Sequence, residues 1–295
     1  MDILVSSDRG YLRQTATMVY SLAKRVEEEI KVWFLDGGLS AKDKDAFTSL
    51  LGDKLGVTVT FIGLGNDLLV SLVLPRNISH ISVATYFRLA APYLLPEHLE
   101  RVLWLDSDII VKGDPTPFYN QDLDGLYLIA CENTGGKGDE ARLGLPEGSV
   151  YFNAGVMLMN LPMMRSRCGL EELLAFCKEN KDRIPLQDQD LLNLLYSDKR
   201  KVLRGGKYNC MSNKSRPEAA VDAAVVHFAG WQKPWKIRWQ DGFSHYWWEI
   251  REEMGITCAE RMTRALGNVW KALGINKLIR LVEMPFNWLG ARVRR

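Results

Sequence analysis

Cysteine is scarce in this sequence, and none of it is arranged for pairing. The five residues, Cys131, Cys168, Cys177, Cys210 and Cys258, are odd in number, scattered, and never spaced as CxxC. That argues against a disulfide framework and fits reduced thiols in a cytosolic protein. Long apolar runs are missing too: no stretch reaches the roughly 18 uninterrupted apolar residues of a transmembrane helix. The opening MDILVSSD enters an apolar strand at once, with neither the basic n-region nor the apolar h-region of a secretory signal. There is no internal repeat and no low-complexity linker. One main domain, residues 1–254, followed by a tail, residues 255–295, is the expected organisation. The turn after the first strand, SSDRGYL, is not the Gly-rich basic loop that a triphosphate needs, which disfavours a nucleotidyltransferase.

What is present is ordinary in amount and uneven in placement. Apolar residues make up 47% and charged residues 25% of the 295, as in soluble globular proteins. Residues 255–295 hold eight Lys and Arg against two Glu, a net of +6, so the first 254 residues carry −4 of the overall +2. Strand and helix signals alternate over the first 110 residues. ILVSS, KVWFL, VTVTFI and RVLWL read as short buried strands. Leu12, Val19, Leu22 and Val26 lie on or near one face of a helix over 12–26. Ser40 with Asp43 gives a capping-box pattern opening a helix to about residue 54, and a further helix is expected over about 82–94. This alternation predicts an α/β fold with a mostly parallel sheet. Ligands of such sheets bind outside the carboxyl ends of the strands, where SSD and DSD both fall. Later, LYLIA, YFNAGVMLMNL and AVVHFAG are strand-like, and residues 170–180 and 187–197 helical.

RVLWLDSDIIVKGD, residues 101–114, sets two carboxylates where a buried strand should be. An unpartnered ionised carboxylate costs several kcal/mol, of order 3–5, to bury, and two side by side repel. Either the strand ends at Leu105 and the aspartates are solvated turn residues, or a cation sits between them. The resumption IIV argues against a simple exit to solvent. On an extended segment Asp106 and Asp108 share a side, and hard oxygen ligands suit Mg²⁺ or Mn²⁺. In HFAGWQKPW, residues 227–235, His227 closes an apolar strand, Gly230 permits an unusual turn and Lys233 follows. A core histidine is the plain alternative; a nearby lysine points instead to a metal and an anionic ligand such as a diphosphate. In LQDQDLLN, residues 186–193, Gln187, Asp188, Gln189 and Asp190 crowd a helix start, where the two aspartates also suit the helix dipole.

Taken in order, SSD…Y, TYFRL, LWLDSDIIVKGD, YFNAGVMLMNL, LQDQDLLN and HFAGWQKPW resemble glycosyltransferase family 8, from residue 2 to about residue 235. This family includes bacterial lipopolysaccharide galactosyl- and glucosyltransferases and, more distantly, glycogenin. The resemblance implies a GT-A fold, a Rossmann-like arrangement for nucleotide-diphospho-sugar transfer, with a UDP-sugar donor and Mn²⁺, Mg²⁺ being the alternative. It places the metal on Asp106, Asp108 and His227, with Ser107 and Gly230 in the donor site. Asp8 and Tyr11 would face the uridine, Tyr11 by stacking on the uracil. Arg88 and Lys233 would meet charged or polar groups of the donor. Asn153 and Asp188 would hold the transferred sugar, with Gln189 below its anomeric carbon and Asp190 nearby. Retention of anomeric configuration is implied; an amide at residue 189 is a poor nucleophile, which favours front-face attack, with double displacement the alternative because Asp188 and Asp190 are close in sequence. Arg9, Gly10, Glu132 and Asn133 depart from the family's pattern, which leaves galactose and glucose both open.

In the tail, Met262, Leu266, Val269, Trp270 and Leu273 follow helical spacing, and Ile275, Leu278, Ile279 and Val282 begin a second stripe before ARVRR. Basic residues with apolar faces suit an anionic membrane surface; a helix docked on the body is the alternative. Nucleic acid is not expected as a partner, because aromatics do not interleave with the basic residues and the body is acidic. The reading is therefore a cytoplasmic, membrane-peripheral enzyme taking a saccharide or lipid-linked glycan as acceptor, in lipopolysaccharide or other surface-polysaccharide synthesis. A non-catalytic nucleotide-sugar-binding protein is the competitor, disfavoured by the intact ligand set together with LQDQD.

Overall fold

A computed structural model describes residues 1–52, 56–63, 87–134, 138–180, 183–236 and 242–273. In chain order, β1 (Asp2–Ser7) leads through a 3₁₀ turn at Arg9–Tyr11 into α1 (Leu12–Ala23), then β2 (Ile30–Asp36), α2 (Ala41–Leu51) and β3 (Val57–Gly63). α3 (Phe87–Leu94), β4 (Arg101–Leu105), β5 (Ile109–Val111), α4 (Thr116–Tyr119) and β6 (Leu128–Glu132) follow. Next come α5 (Asp139–Leu143), β7 (Phe152–Asn160), α6 (Leu161–Arg167), α7 (Leu170–Asn180) and α8 (Asp188–Leu195). β8 (Arg200–Leu203), β9 (Cys210–Met211), a 3₁₀ turn at Pro217–Ala220, β10 (Val225–His227), α9 (Ser244–Glu253) and α10 (Cys258–Ala272) complete the order. The chain divides into two compact units, Met1–His227 and Phe228–Arg295.

The first unit is built on a seven-stranded sheet in the order β3-β2-β1-β4-β7-β6-β8. β7 runs antiparallel to both its neighbours, and the other pairs are parallel. This is the mixed, mostly parallel sheet expected from the alternation. β1 and β4 are central and read as unbroken apolar runs because both of their faces are covered. Leu4, Trp104, Leu128, Met157 and Met159 of the sheet pack in one core with Phe87 and Ala90 of α3 and Leu191, Leu192 and Tyr196 from α8 and its end. Each such fully buried leucine or methionine contributes about 1.5–3 kcal/mol. The Ser40–Asp43 capping box forms as its spacing predicts, and α2 ends at Leu51 on Gly52.

Two irregularities shape the site. β6 and β7 are in register at Ala130↔Met157 but then pair Cys131↔Asn153, so residues 154–156 of β7 form a bulge that re-aims the strand locally. A three-stranded sheet, β5-β10-β9, takes over where β4 stops. The apolar resumption IIV is thus a strand of this second sheet, and Asp106–Asp108 is the crossing between sheets. β10 pairs antiparallel with β5 and sets His227 opposite Ile109.

In the second unit, Trp235 and Trp247 pack with ring centroids 4.6 Å apart. Arg251 of α9, 1% exposed, pairs with Glu260 of α10 at 2.9 Å. Thr257 and Glu260 form a capping box at the start of α10. Among the described residues no helix is long and apolar enough to cross a membrane. Residues 82–86 of the predicted third helix, and the tail stripe beyond Leu273, lie outside the described residues.

Candidate active site

Asp106, Asp108 and His227 converge, each offering one ligand atom, with all three atoms within 4.8 Å of one another. His227 Nε2 stands 3.3 Å from Asp108 Oδ1 and 3.8 Å from Asp106 Oδ2. The cause is topological: the crossing between sheets holds the aspartates, and the β10–β5 register delivers the imidazole. Asp106 N–H donates to Gly155 O at 2.9 Å, carrying the β4–β7 ladder one step beyond the strand. The Thr15 hydroxyl donates to Ser107 Oγ (2.8 Å), which donates to Ser6 O (3.3 Å). Ser107 therefore spends its side chain tying the crossing to α1 and β1. Two carboxylates and an imidazole nitrogen form a hard, mixed O/N donor set that fits Mn²⁺.

Arg88 lies behind this cluster, 4% exposed. Its Nη1 is 3.2 Å from Asp106 Oδ1 and donates to Ala154 O, its Nε is 2.9 Å from Asp188 Oδ2, and its guanidinium covers the Trp104 ring at 4.7 Å. Trp104 Nε1 also donates to Asp106 Oδ1 at 2.8 Å. Burial pushes the Asp188 carboxyl up to about 6 against the pull of Arg88, because desolvation disfavours the ionised form.

α8 opens at Gln187, whose φ of 52° is the one positive value among the described non-glycine residues. Such a conformation costs of order 1–3 kcal/mol, and it launches the helix so that three successive side chains diverge. Asp188 goes to Arg88. The Gln189 Oε1 accepts from Asn153 Nδ2 (2.9 Å) and Ala154 N (3.0 Å), while its Nε2 donates to the Tyr151 hydroxyl (3.1 Å). Asp190, fully buried, receives Arg142 at 3.0 and 2.8 Å, Tyr151 Oη at 2.6 Å and Leu186 N at 2.8 Å. Burial first, and then Asp190, raises the Tyr151 phenol far above its ordinary range, so it stays a donor.

A model of the family described as glycosyl transferase family 8 matches residues 2–238. The chain belongs to glycosyltransferase family 8. General stress protein A of Bacillus subtilis is 27% identical to this family 8 chain, covering 83% of it and 92% of the relative. The lipopolysaccharide glucosyltransferase WaaO of Escherichia coli is 24% identical over 80% of the chain and 72% of its own length. Among solved structures, the galactosyltransferase LgtC in complex with donor and acceptor sugar analogs matches with a TM-score of 0.75 and 26% identity, over 89% of this chain and all of that one. The seven-stranded mixed sheet is accordingly a GT-A fold.

Other expected residues of this family 8 chain fall at the carboxyl end of β1. Asp8 Oδ1 accepts from Tyr11 N at 3.2 Å, capping the short 3₁₀ turn. Burial, then the charges of Asp108 and Asp8, push the Tyr11 phenol up to about 12. The buried hydroxyls of Ser6, Ser7 and Ser212 have no hydrogen-bond partner among the described residues, and native structures leave few such groups without a ligand or water. Gly230 and Lys233 belong to the second unit. Gly230 has φ 78°, and Lys233 Nζ donates to Phe228 O at 2.7 Å. Sequence reasoning missed Asn209, Tyr151 and Asn193. Asn193 brackets Phe152 through both backbone groups (3.0 and 2.9 Å) and so fixes β7 against α8. Tyr151 and Asn193 lie inside YFNAGVMLMNL and LQDQDLLN without a signal that singles them out, and Asn209 lies outside every motif.

Proposed function

We propose that this chain transfers a hexose, galactose or glucose, from a UDP-linked donor to a saccharide or lipid-linked glycan, with retention of anomeric configuration and dependence on Mn²⁺ held by Asp106, Asp108 and His227. The observation that carries the reading is the convergence of these three ligand atoms within 4.8 Å at a strand end of a GT-A sheet. When bound, the ion would neutralise charge growing on the departing diphosphate. Asp8 and Tyr11 take the uridine. Arg88, Asn153 and Asp188 take the sugar, and Gly230 and Lys233 are assigned by family position to the diphosphate. Gln189 lies under the anomeric carbon as an oriented amide dipole. With its oxygen already accepting two hydrogen bonds it is a poor nucleophile, which favours front-face attack. The bond from the anomeric carbon to the leaving phosphate oxygen breaks with its electron pair going to UDP. The acceptor oxygen bonds to that carbon, and its proton passes to the departing phosphate. Asp190, saturated by donors, positions Tyr151 and Gln189 and does not touch the substrate.

We place the reaction at the cytoplasmic face of a membrane, in surface-polysaccharide assembly. The exposed stripe of α10 and the residue that ends it (Met262, Leu266, Val269, then Leu273) support this placement, as does the basic composition beyond it. Donor hydrolysis measured on UDP-galactose, UDP-glucose, UDP-N-acetylglucosamine and GDP-sugars, with and without Mn²⁺, tests the reading. Turnover confined to one UDP-hexose and dependent on the ion is expected; equal turnover without metal would refute it.

A further inference from the structure

Asn209 is 1% exposed and sits just before β9, in a stretch with no recognised role. Its Oδ1 is 2.9 Å from His227 Nδ1, and its Nδ2 donates to Asn153 Oδ1 at 2.8 Å. We infer that Asn209 is a positioning residue: it fixes His227 with the proton on Nδ1 and the Nε2 face turned to Asp106 and Asp108, and it ties that metal ligand to the Asn153–Gln189 amide pair. The inference deepens the metal and donor assignments proposed above and rests on them.

The polarity of each amide follows from backbone donors, which cannot be reversed. Gly155 N–H donates to one Asn153 side-chain atom at 3.0 Å, so that atom is Oδ1. Ala154 N–H donates to one Gln189 side-chain atom, so that atom is Oε1. Asn153 Oδ1 also meets Asn209, which must therefore present Nδ2 there and Oδ1 on its other side. An amide oxygen facing an imidazole nitrogen can only accept. His227 Nδ1 is thus the donor whether or not Nε2 carries a proton, and in the neutral ring Nε2 is left with its lone pair toward the aspartates. The bulge of β7 dictates the tautomer of a ligand on β10 through two side chains. A hydrogen bond to the far nitrogen of a ligating histidine sets ring orientation and basicity, and its loss costs roughly 10–100-fold in metal affinity.

The full-length chain, metal-free and at alkaline pH, would be examined by ¹⁵N NMR of the imidazoles, with a His227→Gln variant to assign the signal, and its Mn²⁺ affinity measured by electron paramagnetic resonance. The wild type should show a protonated Nδ1 and a lone-pair Nε2 at His227. In Asn209→Leu, of similar shape and without either hydrogen bond, the tautomers should mix and Mn²⁺ affinity fall by about 10–100-fold. Asn209→Asp retains the acceptor for Nδ1, so the tautomer should stay as in the wild type, while the loss of the amide donor to Asn153 Oδ1 sets two oxygens face to face and should break the tie to the Asn153–Gln189 pair. A wild-type His227 protonated on Nε2 would overturn the inference, even if the leucine variant fails to fold. So would an unchanged tautomer in Asn209→Leu, or mixing in Asn209→Asp. A wild type that shows the fixed tautomer yet binds no Mn²⁺ would support the role of Asn209 and sink the metal reading instead.

Discussion

Gly155 lies under the imidazole of His227 so closely that a β-carbon there would overlap Cε1 and stand 2.9 Å from Nδ1 and 3.0 Å from Asn153 Oδ1. The backbone at Gly155 needs no positive φ, so glycine is required by this close approach and not by its torsions. Gly155→Ala should displace the ring from the two aspartates. Mn²⁺ affinity is expected to drop by roughly 10–100-fold with the far-ultraviolet circular dichroism unchanged. Normal affinity in a folded alanine variant would show that the ring does not ligate.

Asp106 and Asp108 should part company when replaced. Asp108→Asn relieves carboxylate repulsion in the metal-free chain, so its melting temperature should equal or exceed wild type while UDP binding in Mn²⁺ and transfer collapse. Asp106→Ala orphans the buried indole N–H of Trp104 and one partner of Arg88, which should cost about 1–3 kcal/mol. Calorimetry of both variants without metal decides this; equal losses of stability would contradict the assigned contacts.

Gln189→Ala should lower kcat while leaving donor KM near wild type, because the amide is assigned to the reacting centre. A raised KM at constant kcat would move Gln189 into donor binding.

The strands and the candidate metal cluster were legible because they rest on local pattern. Apolar runs marked β1, β2 and β4, and carboxylates interrupting such a run marked Asp106 and Asp108. Asn209 was not legible, because its role exists only once β9 pairs with β10 and the β7 bulge aims Asn153 at it. Asp190 reads in the sequence like its neighbour Asp188. The positive φ of Gln187 and the reach of Arg142, neither local in pattern, turn it into a buried anchor. α9, whose SHYWWEIREE carries no side-chain N-cap bond, lacks the start signals that made α2 readable from Ser40 and Asp43. The break between units at His227 has no compositional mark at all.

Glu260 supplies a pH signature for the second unit. Burial alone would raise its carboxyl, but the hydrogen bonds from Arg251 and then Thr257 outweigh burial and hold it at about 2. A folded value below the unfolded one stabilises fully above the unfolded value of 4.5 and loses that contribution as pH falls toward 2. The difference in melting temperature between wild type and Glu260→Gln should thus be constant above about pH 5 and shrink steadily below it. A difference independent of pH would mean that the ion pair does not contribute.

The same ion pair decides how the membrane reading is tested. Removing everything after Gly255 would leave the buried Arg251 without Glu260, and any loss of binding would be confounded with unfolding. A chain ending at Leu273 keeps α10 and its capping box. It should stay folded and hydrolyse donor, since the residues assigned to the reaction precede position 234. Against vesicles containing anionic lipid, the full-length chain should bind and should weaken in high salt, because each basic residue near such a surface contributes about 1 kcal/mol within a Debye length. The shortened chain, which keeps Arg261, Arg264 and Lys271 of the eight basic residues, should bind less tightly and with a weaker salt dependence, while the stripe Met262, Leu266, Val269 and Leu273 retains part of the attachment. Serine at Met262, Leu266 and Val269 in the full-length chain should leave the opposite residue, a weaker association that salt abolishes. Activity on a lipid-linked acceptor should fall further than donor hydrolysis in both variants. If the full-length chain ignores anionic vesicles at low salt, the stripe meets something other than lipid and the membrane placement fails.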